Sequence, residues 1–500
     1  MGFKKLFRNQ EFWVSIIFII VLSIRIIIAF QTPLLNYESY YTLRQIENIK
    51  DTGLPLYNDP LSYGGKTQLY NPLYYYILAV FSFFIPENIV VKILPNIFAS
   101  LIIILVYFIG LKITKHPKIS FLGSLMSGFI PILYFDINRA SQDYLSMLLI
   151  FAIIYCIMKI NEKKYIDYSL ILAFLLVLTS PLAFIVIFGL LIYVLLMRLE
   201  NENVEIKEIE LILFFSFLTI WIHLLLFKNA LLKHGIMVIW QNMPAKIISG
   251  FFSKLTIIET IYTISIIPLI LGIYGAYKTF HNTKNKEVMI LIGFTIGVFL
   301  LMWFRLLNII ISITLLSISL VLMTVFAIKN INEFIEKTKI YRYKKILLLI
   351  FIILFFITSV IPSIYIGIKN SKDTPNVSDI LVLEWASKNI PKTATIAGTL
   401  EEGHIIAYYA NRKNIMDDNF LLTENIDSRL NDLDIIYTTK FQIEAISKLE
   451  NYKSKYILLT DYARKKYNIQ NISYINNECF QEVFYSQNTS IYYVKCKIRD

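Results

Sequence analysis

Two acidic residues and one arginine lie where apolar segments meet polar loops, and their side chains are suited to group transfer. Glu38 lies in the stretch NYESYY, Asp143 in DINRASQDY and Arg305 in LMWFRLLNII. A carboxylate can accept a proton from an attacking hydroxyl group, which typically accelerates a reaction about 10²- to 10⁴-fold. A guanidinium group binds phosphate through two parallel hydrogen bonds. We therefore expect carboxylate chemistry at Glu38 and Asp143 and phosphate binding at Arg305.

Each of these residues also has a purely structural interpretation. Asn36 could cap a helix whose first turn contains Glu38, because the two are separated by one residue. Asp143 could cap the next apolar helix, and Asp136 could be the useful carboxylate of that loop. Arg305 could extend along apolar surface to ordinary lipid headgroups. An acid inside a membrane span costs about 2.5 to 3.5 kcal/mol at the bilayer centre and less near the edge, which favours a functional role for Asp143.

The composition of the chain is that of a multi-span membrane protein. Of its 500 residues 56% are hydrophobic and 17% are charged, with a mean hydropathy of +0.59, whereas about a quarter of the residues in soluble domains are charged. The net charge of +12 comes from basic residues in short links between apolar runs, the pattern of cytoplasmic loops. We therefore expect a membrane lipid environment and no nucleic-acid partner. The motifs of common soluble enzymes, such as GxSxG and HExxH, are absent from the sequence.

The basic links also predict how the chain is threaded through the membrane. Lys4, Lys5 and Arg8 place the N-terminus in the cytoplasm. Residues 72–86 are fewer than the roughly 17 to 25 that a spanning helix needs, so we expect a re-entrant or interfacial segment there. Eleven spans are then expected near residues 12–30, 90–113, 119–135, 143–158, 166–180, 181–197, 208–227, 256–278, 288–304, 306–328 and 345–367. This threading makes the chain a multi-pass cell-membrane protein with segments 34–72, 136–142 and 228–255 and the tail on the outer side.

The chain divides into a predicted membrane domain, residues 1–369 with the outer loop 34–72, and an extracytoplasmic α/β domain, residues 370–500. In the tail, SDILVLEWASKNI and FQIEAISKLENY have helical periodicity, and TATIAG, KYILLT, CFQEVFYS and SIYYVKC are typical of strands. Symmetric pairing of the last two strands about SQNTS places Cys479 opposite Cys496, close to disulfide reach. An outer domain permits that bond, although both could be free strand residues.

Several stretches resemble those of the glycosyltransferase C superfamily, whose members move sugars from polyprenyl-phosphate carriers. The stretch NYESYYTLRQIENIKDTGLPLYNDP is similar to the first outer loop of oligosaccharyltransferase catalytic subunits, archaeal ones included, and PILYFDINRASQDY is similar to their second acidic loop. GTLEEGHIIAYYANRKNIMDDN is similar to the segment that begins with Trp-Trp-Asp-Tyr-Gly in those enzymes. The resemblance covers most of the chain and implies a glycosyltransferase C-like fold of about eleven spans with a C-terminal extracytoplasmic α/β domain.

The sequence departs from that family at two of its motifs. The Trp-Trp-Asp-Tyr-Gly positions contain TLEEG, with only Gly403 kept, so binding of a hydroxyl-bearing sequon is not supported. The paired acids of the second loop are reduced to Asp143 followed by Tyr144 and Leu145, which removes a metal ligand, since divalent ions need several hard oxygens. TIIE, which ends at Glu259, is similar to a further motif of the family. If the chain follows the oligosaccharyltransferases, the resemblance implies Mn or Mg, with Asp143 and Glu259 as candidate ligands.

The resemblance implies a membrane glycosyltransferase that uses a polyprenyl-phosphate-linked sugar on the extracytoplasmic face. Glu38 would be the general base or the carboxylate that orients the acceptor, and Asp143 its partner, which positions the acceptor or a metal. Arg305 would be the ligand of the donor phosphate, and the acceptor would be a glycan, a lipid or a protein. Three alternatives remain open. They are a divergent oligosaccharyltransferase for protein N-glycosylation, a lipid or solute transporter, and an inactive relative whose tail binds a partner. A transporter fits the outer domain and the long first loop poorly, and the sequence shows no inverted repeat.

Overall fold

The computed structural model describes residues 10–249, 255–283, 285–476 and 478–498. Residues 10–370, here called the helical region, are followed by a sheet-containing C-terminal region, residues 377–498. The helices of the helical region, α1 to α16 in chain order, are Gln10–Ala29, Ser39–Thr52, Leu73–Ser82, Glu87–Thr114, Pro117–Gly128, Asp143–Met158, Lys163–Thr179, Ala183–Leu199, Ile206–His234, Ala245–Ser249, Ile257–Ile264, Ile266–Lys278, Lys286–Trp303, Ile309–Glu336, Lys344–Phe355 and Ile361–Asn370.

Within the described residues, six helices are long and apolar enough to cross a membrane. They are α1, α4, α9, α13, α14 and the composite helix Lys339–Asn370. The pair α11 and α12, bent by 83° at a short break, would make a seventh. The other expected spans are helical but shorter. Residue 130, which precedes Pro131, is extended (φ −84°, ψ 116°), and the residue before a proline avoids the helical conformation, so α5 ends at Gly128 rather than near 135.

The count of eleven spans and the cytoplasmic placement of the N-terminus therefore stay predictions. The cationic residues that orient the N-terminus, Lys4, Lys5 and Arg8, lie outside the described residues. The segment expected to be re-entrant forms the ten-residue helix α3, Leu73–Ser82, which is too short to span a bilayer alone.

The segment between α1 and α3 connects the helical region to the C-terminal region. After α2 the chain forms a short hairpin, β1 (Asn58–Asp59) and β2 (Lys66–Thr67). Arg44 of α2 makes two hydrogen bonds of 2.6 and 2.7 Å to the buried carboxylate of Asp59, and this pair fixes the hairpin against the helix. The hairpin tip then binds the C-terminal region through a bond of 3.0 Å from the Asn414 amide to the Leu61 carbonyl and one of 2.8 Å from the Tyr63 amide to the Asn414 side chain.

The C-terminal region is a mixed sheet with helices on both faces. Its described strands are β3 (Thr395–Ala397), β4 (Lys413–Asn414), β5 (Ser454–Leu459), β6 (Phe480–Ser486) and β7 (Thr489–Val494), in the spatial order β4-β3-β5-β7-β6. β3 is parallel to both of its neighbours, and β7 is antiparallel to β5 and β6. Helix α17 (Val377–Asn389) packs on one face, where Trp385 stacks on Phe484. On the other face α19 (Ile426–Thr438) and α20 (Gln442–Asn451) cover a second apolar core, and short α18 (Gly403–Ile405) and α21 (Asp461–Tyr467) complete the region.

The predicted helices and strands of the tail are confirmed, and so is the disulfide. Cys479 and Cys496 are bonded, with their Cα atoms 4.9 Å apart. The pairing is not symmetric throughout, because a bulge between Glu482 and Phe484 shifts the register of the hairpin by one residue. The Lys495 amide consequently bonds to the Cys479 carbonyl at 2.8 Å.

Glu402 is a fully buried acid in the core of the C-terminal region. It lies in the TLEEG stretch, where its carboxylate accepts hydrogen bonds from the Thr460 hydroxyl and, at 2.8 Å, from the Thr399 amide. Burial raises the pKa of Glu402 to about 7, although the two hydrogen bonds oppose the shift. The side chain is 0% exposed, so this position supports the fold and presents no surface to a ligand.

The raised pKa of Glu402 predicts that the stability of this region depends on pH. A carboxyl group whose folded pKa lies above its unfolded value stabilises the fold fully below the unfolded pKa, and this contribution is lost as the pH rises through the folded pKa. A shift from 4.5 to about 7 corresponds to roughly 3 kcal/mol lost between pH 4.5 and pH 8. Glu402→Gln should therefore raise the apparent unfolding temperature at pH 8 and leave it nearly unchanged at pH 5.

The measurement is thermal unfolding of the full chain in detergent at both pH values. Glu401→Gln is the matched control, because Glu401 is a surface acid that pairs with Lys466 at 2.7 Å. Equal effects of Glu402→Gln at pH 5 and pH 8 would show that Glu402 is ionised in the folded protein.

Candidate active site

Glu38 is held at the start of α2 by contacts between the loop after α1 and the loop before α6, here called the second loop. The Asn36 side chain accepts a hydrogen bond of 2.9 Å from the Glu38 amide, and α2 begins at the next residue, Ser39. The Ser39 hydroxyl accepts a bond of 2.9 Å from the Ala140 amide, and the Thr42 hydroxyl donates one of 3.1 Å to the Ala140 carbonyl. The polar residues after Glu38 therefore fasten α2 to the second loop, which fixes the carboxylate beside that loop.

Arg139 of the second loop is the direct ionic partner of Glu38. Its guanidinium group contacts the Glu38 carboxylate and lies 3.7 Å from the Asp136 carboxylate. The fields of Asp143 and Asp418 also act on Arg139. Asp143 is the first residue of α6 and accepts a hydrogen bond of 2.5 Å from Ser141. The structure thus brings both predicted acids to one arginine that the sequence analysis did not single out.

The C-terminal region contributes a further acid and a histidine to this group. Asp418 is 38% exposed at its side chain, and its carboxylate lies 2.5 Å from the Nε2 atom of His404. Asp418 and His404 both affect the ionisation of Glu38. The His404 ring lies 5.2 Å from the Tyr41 ring, which is three residues after Glu38 on α2. We call the set of Glu38, Asp136, Arg139, Asp143, His404 and Asp418 the interface cluster.

The electrostatics of the interface cluster favour a basic carboxylate at Glu38. The Glu38 side chain is 43% exposed, yet protein atoms surround it on several sides, and this burial raises its pKa to about 7. Arg139 opposes the rise, whereas Asp418 and Asp136 add to it. A general base is most effective when its pKa lies near the working pH, so a recessed carboxylate of this kind can remove a proton from a bound hydroxyl group.

Arg305 lies away from the interface cluster, in a separate cavity between the two regions. It has a left-handed backbone conformation (φ 58°) between α13 and α14. The cavity, about 860 Å³, contains none of the interface-cluster residues among its lining, which includes Lys233, His234, Arg305 and residues 423–428. The lining also contains the acids Glu424 and Asp427, and Lys233 pairs with Glu424 at 2.8 Å. Phosphate binding at Arg305 therefore stays a prediction.

Glu259, the other candidate metal ligand, caps its own helix. Its carboxylate accepts hydrogen bonds of 2.8 and 3.0 Å from the amide and the hydroxyl of Thr256, and the Thr256 hydroxyl accepts one of 3.2 Å from the Glu259 amide. This reciprocal pattern is a capping box. Its charged neighbour is Lys369, so the structure does not bring Glu259 to Asp143.

Three residues of the interface cluster were missed by the sequence analysis. Arg139 lies in the quoted loop DINRASQDY, and its position three residues after Asp136 was a usable signal. His404 and Asp418 lie in the quoted stretch GHIIAYYANRKNIMDDN. No local pattern could place them beside Glu38, more than 360 residues earlier, because the contact depends on how the two regions dock.

Comparisons with known proteins identify the fold of the chain. No family model and no curated protein sequence matches it. The structure is similar to that of the oligosaccharyltransferase AglB from Archaeoglobus fulgidus in complex with an inhibitory peptide and a dolichol-phosphate. The TM-score is 0.64 at 14% identity, over 92% of this chain and 70% of that one. A structure of the same enzyme with Zn and sulfate gives a TM-score of 0.62 at 13% identity, over 88% and 67% of the two chains.

The structure is also similar to ArnT from Cupriavidus metallidurans bound to undecaprenyl phosphate. Here the TM-score is 0.59 at 10% identity, and the match covers 96% of this chain and 97% of that one. Identities this low show the fold alone. The chain therefore has the fold of glycosyltransferase C membrane enzymes that bind polyprenyl phosphates, as the resemblance of its loops predicted.

Proposed function

We propose that the protein is a membrane glycosyltransferase that transfers a sugar from a polyprenyl-phosphate carrier to an acceptor hydroxyl group on the extracytoplasmic face. The observation that carries the proposal is the recessed Glu38 carboxylate, paired with Arg139 at the meeting point of both outer loops and the C-terminal region. The glycosyltransferase C fold supports the same conclusion. Residues 1–369 would form the membrane domain and residues 370–500 the outer domain that covers the site.

In the proposed reaction Glu38 takes the proton from the acceptor hydroxyl as its oxygen attacks the anomeric carbon of the donor sugar. The bond between that carbon and the phosphate oxygen breaks, and the phosphate leaves on the lipid with the electron pair. Arg139 keeps Glu38 ionised and oriented, and Asp143 positions the acceptor. Arg305, whose cavity shares no lining residue with the interface cluster, would bind the lipid phosphate as the donor enters, because during transfer the leaving phosphate must lie beside the attacked carbon. A guanidinium group satisfies the negative charge of a phosphate better than a single ammonium does.

A hydroxyl acceptor is favoured over the asparagine of a glycosylation sequon. The TLEEG stretch replaces the family's aromatic motif, and its side chains serve the fold. Leu400 and Glu402 are buried, and Glu401 pairs with Lys466. Protein N-glycosylation is therefore the second candidate, supported by the similarity to AglB and opposed by this stretch.

The test is incubation of the purified full-length protein with a panel of radiolabelled polyprenyl-phosphate sugars, each with hydroxyl acceptors or a sequon peptide. We expect one donor to be consumed with a hydroxyl acceptor. Arg305→Gln should raise the KM for that donor about tenfold or more, because charged hydrogen bonds contribute roughly 1.5 to 3 kcal/mol. Arg342→Gln, which changes an exposed arginine in the short helix Lys339–Tyr343, is the matched control.

Two outcomes would contradict the proposal. Consumption of no polyprenyl-phosphate sugar by folded protein would exclude the transfer reaction, and glycosylation of the sequon peptide alone would favour the second candidate. An unchanged KM in Arg305→Gln would remove Arg305 from the donor site.

A further inference from the structure

The C-terminal side of the interface cluster contains a group of donor atoms that matches a cation site. His404, Asp417 and Asp418 each offer one nitrogen or oxygen atom, and these atoms lie within 4.8 Å of one another. A cation about 2.0 to 2.2 Å from each ligand, as Zn²⁺ is from histidine and carboxylate ligands, keeps its donor atoms at most about 4.4 Å apart, so the widest pair in this group would have to close slightly around an ion. The geometry alone is compatible with a metal but does not require one.

The state of the His404 side chain provides the second, independent observation. The residue is 2% exposed, and its Nδ1 atom is buried without a hydrogen-bond partner among the described residues. That atom lies 4.0 Å from the Asp417 carboxylate, too far for a hydrogen bond. Leaving a buried polar atom unsatisfied costs about 1 to 3 kcal/mol, so a cation between Nδ1 and Asp417 would satisfy the nitrogen.

The surroundings of Asp417 are those of an oriented ligand. Its side chain is fully buried and accepts hydrogen bonds of 2.5 Å from the Ser62 hydroxyl, 3.1 Å from the Asn414 side chain and 3.1 Å from the Asn419 amide. Ligating carboxylates in metal sites are commonly held by such second partners. The competing cation is Lys66, whose Nζ atom lies 3.6 Å from Asp417.

The interface cluster contains more carboxylates than guanidinium groups, which favours the binding of a cation. Four carboxylates, those of Glu38, Asp136, Asp143 and Asp418, act on one guanidinium group, that of Arg139. Carboxylates crowded at an interface repel one another unless a counterion is bound. Asp418 is the member that belongs both to this cluster and to the group of donor atoms.

We propose that the Nδ1 atom of His404 and the carboxylate of Asp417 bind one divalent transition-metal ion at the interface between the two regions, while Asp418, bonded to Nε2, orients the imidazole ring. An imidazole nitrogen beside a carboxylate oxygen favours Mn²⁺ or Zn²⁺ over Mg²⁺ and Ca²⁺, which take oxygen ligands. The site differs from the pair Asp143 and Glu259 expected from the sequence, because its ligands come from the C-terminal region. The inference concerns binding and does not depend on the transfer reaction.

The experiment measures Mn²⁺ binding to the full-length protein in detergent. Protein stripped with a chelator is titrated with MnCl₂ while the free ion is followed by electron paramagnetic resonance, and ZnCl₂ is used as a competitor. We expect one Mn²⁺ per chain, displaced by Zn²⁺. Asp418→Asn and His404→Gln should each weaken binding about tenfold or more, since even the loss of groups that only orient ligands costs 10- to 100-fold. His281→Gln, at an exposed histidine, should bind as wild type does.

A second measurement uses the wild-type protein alone, in case a variant fails to fold. An ion that binds only the folded state raises the apparent unfolding temperature with its concentration, so Mn²⁺ should raise it and Mg²⁺ at the same concentration should not. The proposal is overturned if wild-type protein binds no Mn²⁺ or Zn²⁺, or if Asp418→Asn and His404→Gln both fold and bind like wild type. Such a failure would mean that His404 pairs with the acids as an imidazolium. Metal binding without sugar transfer would contradict the proposed function only, and transfer without metal binding would contradict this inference only.

Discussion

Glu38→Gln should reduce sugar transfer by about two to four orders of magnitude, the usual contribution of a general base. The change keeps the size of the side chain and its ability to contact Arg139, and removes only the charge and the basicity. Protein amount and unfolding temperature should remain nearly unchanged, because an acid at the first turn of a helix contributes about 0.3 to 1 kcal/mol. The measurement is the initial rate of transfer with the donor identified by the panel, corrected for folded protein.

Glu47→Gln is the matched control for this experiment. Glu47 lies on the same helix, α2, but interacts with Tyr408 and is not part of the interface cluster. Transfer by the control should stay near wild type. If Glu38→Gln keeps full activity, or loses activity only in proportion to folded protein, Glu38 is a structural residue at the start of α2 and the proposed base must be sought elsewhere.

The position of Glu38 explains why so apolar a chain has a long polar loop after its first helix. Residues 39–42 fasten α2 to the second loop, and the hairpin tip binds the C-terminal region. The buried pair of Arg44 and Asp59 connects these two attachments. The loop therefore joins three parts of the molecule and holds one carboxylate where they meet.

Local sequence patterns predicted the helices and strands of this structure better than the contacts between them. Hydrophobic periodicity located α17 and α20, and alternation located β5 to β7, because these signals are carried by neighbouring residues. The hairpin that joins Cys479 and Cys496 was predictable for the same reason. The end of α5 was misplaced because hydropathy continues past Gly128 while the proline at 131 prevents the helix from doing so.

The candidate site was predictable only in part, for a physical reason. Asp143 was singled out because an acid at the end of an apolar segment is costly and therefore informative, and Glu38 because the family resemblance implies an acid in the first loop. His404 and Asp418 are unremarkable in the C-terminal region, where charged residues are common, and their proposed role depends on how that region docks. The contact of Arg25, a buried residue of α1, was equally unpredictable. It donates a hydrogen bond of 2.8 Å to the carbonyl of Leu133, which is distant in the sequence.

Arg139→Gln should move the pH dependence of transfer to higher pH. Glu38 must be ionised to act as a base, and its pKa is raised to about 7 by burial, with Arg139 as the main opposing influence. An adjacent opposite charge typically lowers the pKa of a carboxyl group by 1 to 3 units, and we take about one unit because Glu38 is partly exposed. Removing Arg139 should then reduce the ionised fraction of Glu38 about tenfold at pH 6 and hardly at all above pH 9.

The measurement is kcat/KM for transfer between pH 5.5 and pH 9.5 in wild type, Arg139→Gln and Arg139→Lys. The lysine variant keeps the positive charge and should keep the wild-type pH dependence, even if its weaker geometry lowers the rate at every pH. A loss of the same factor at all pH values in Arg139→Gln would show that Arg139 only holds the loop in place. If the rise of kcat/KM moves to higher pH in Arg139→Gln but not in Arg139→Lys, the positive charge at position 139 sets the ionisation of Glu38, because a purely structural defect has no reason to depend on pH.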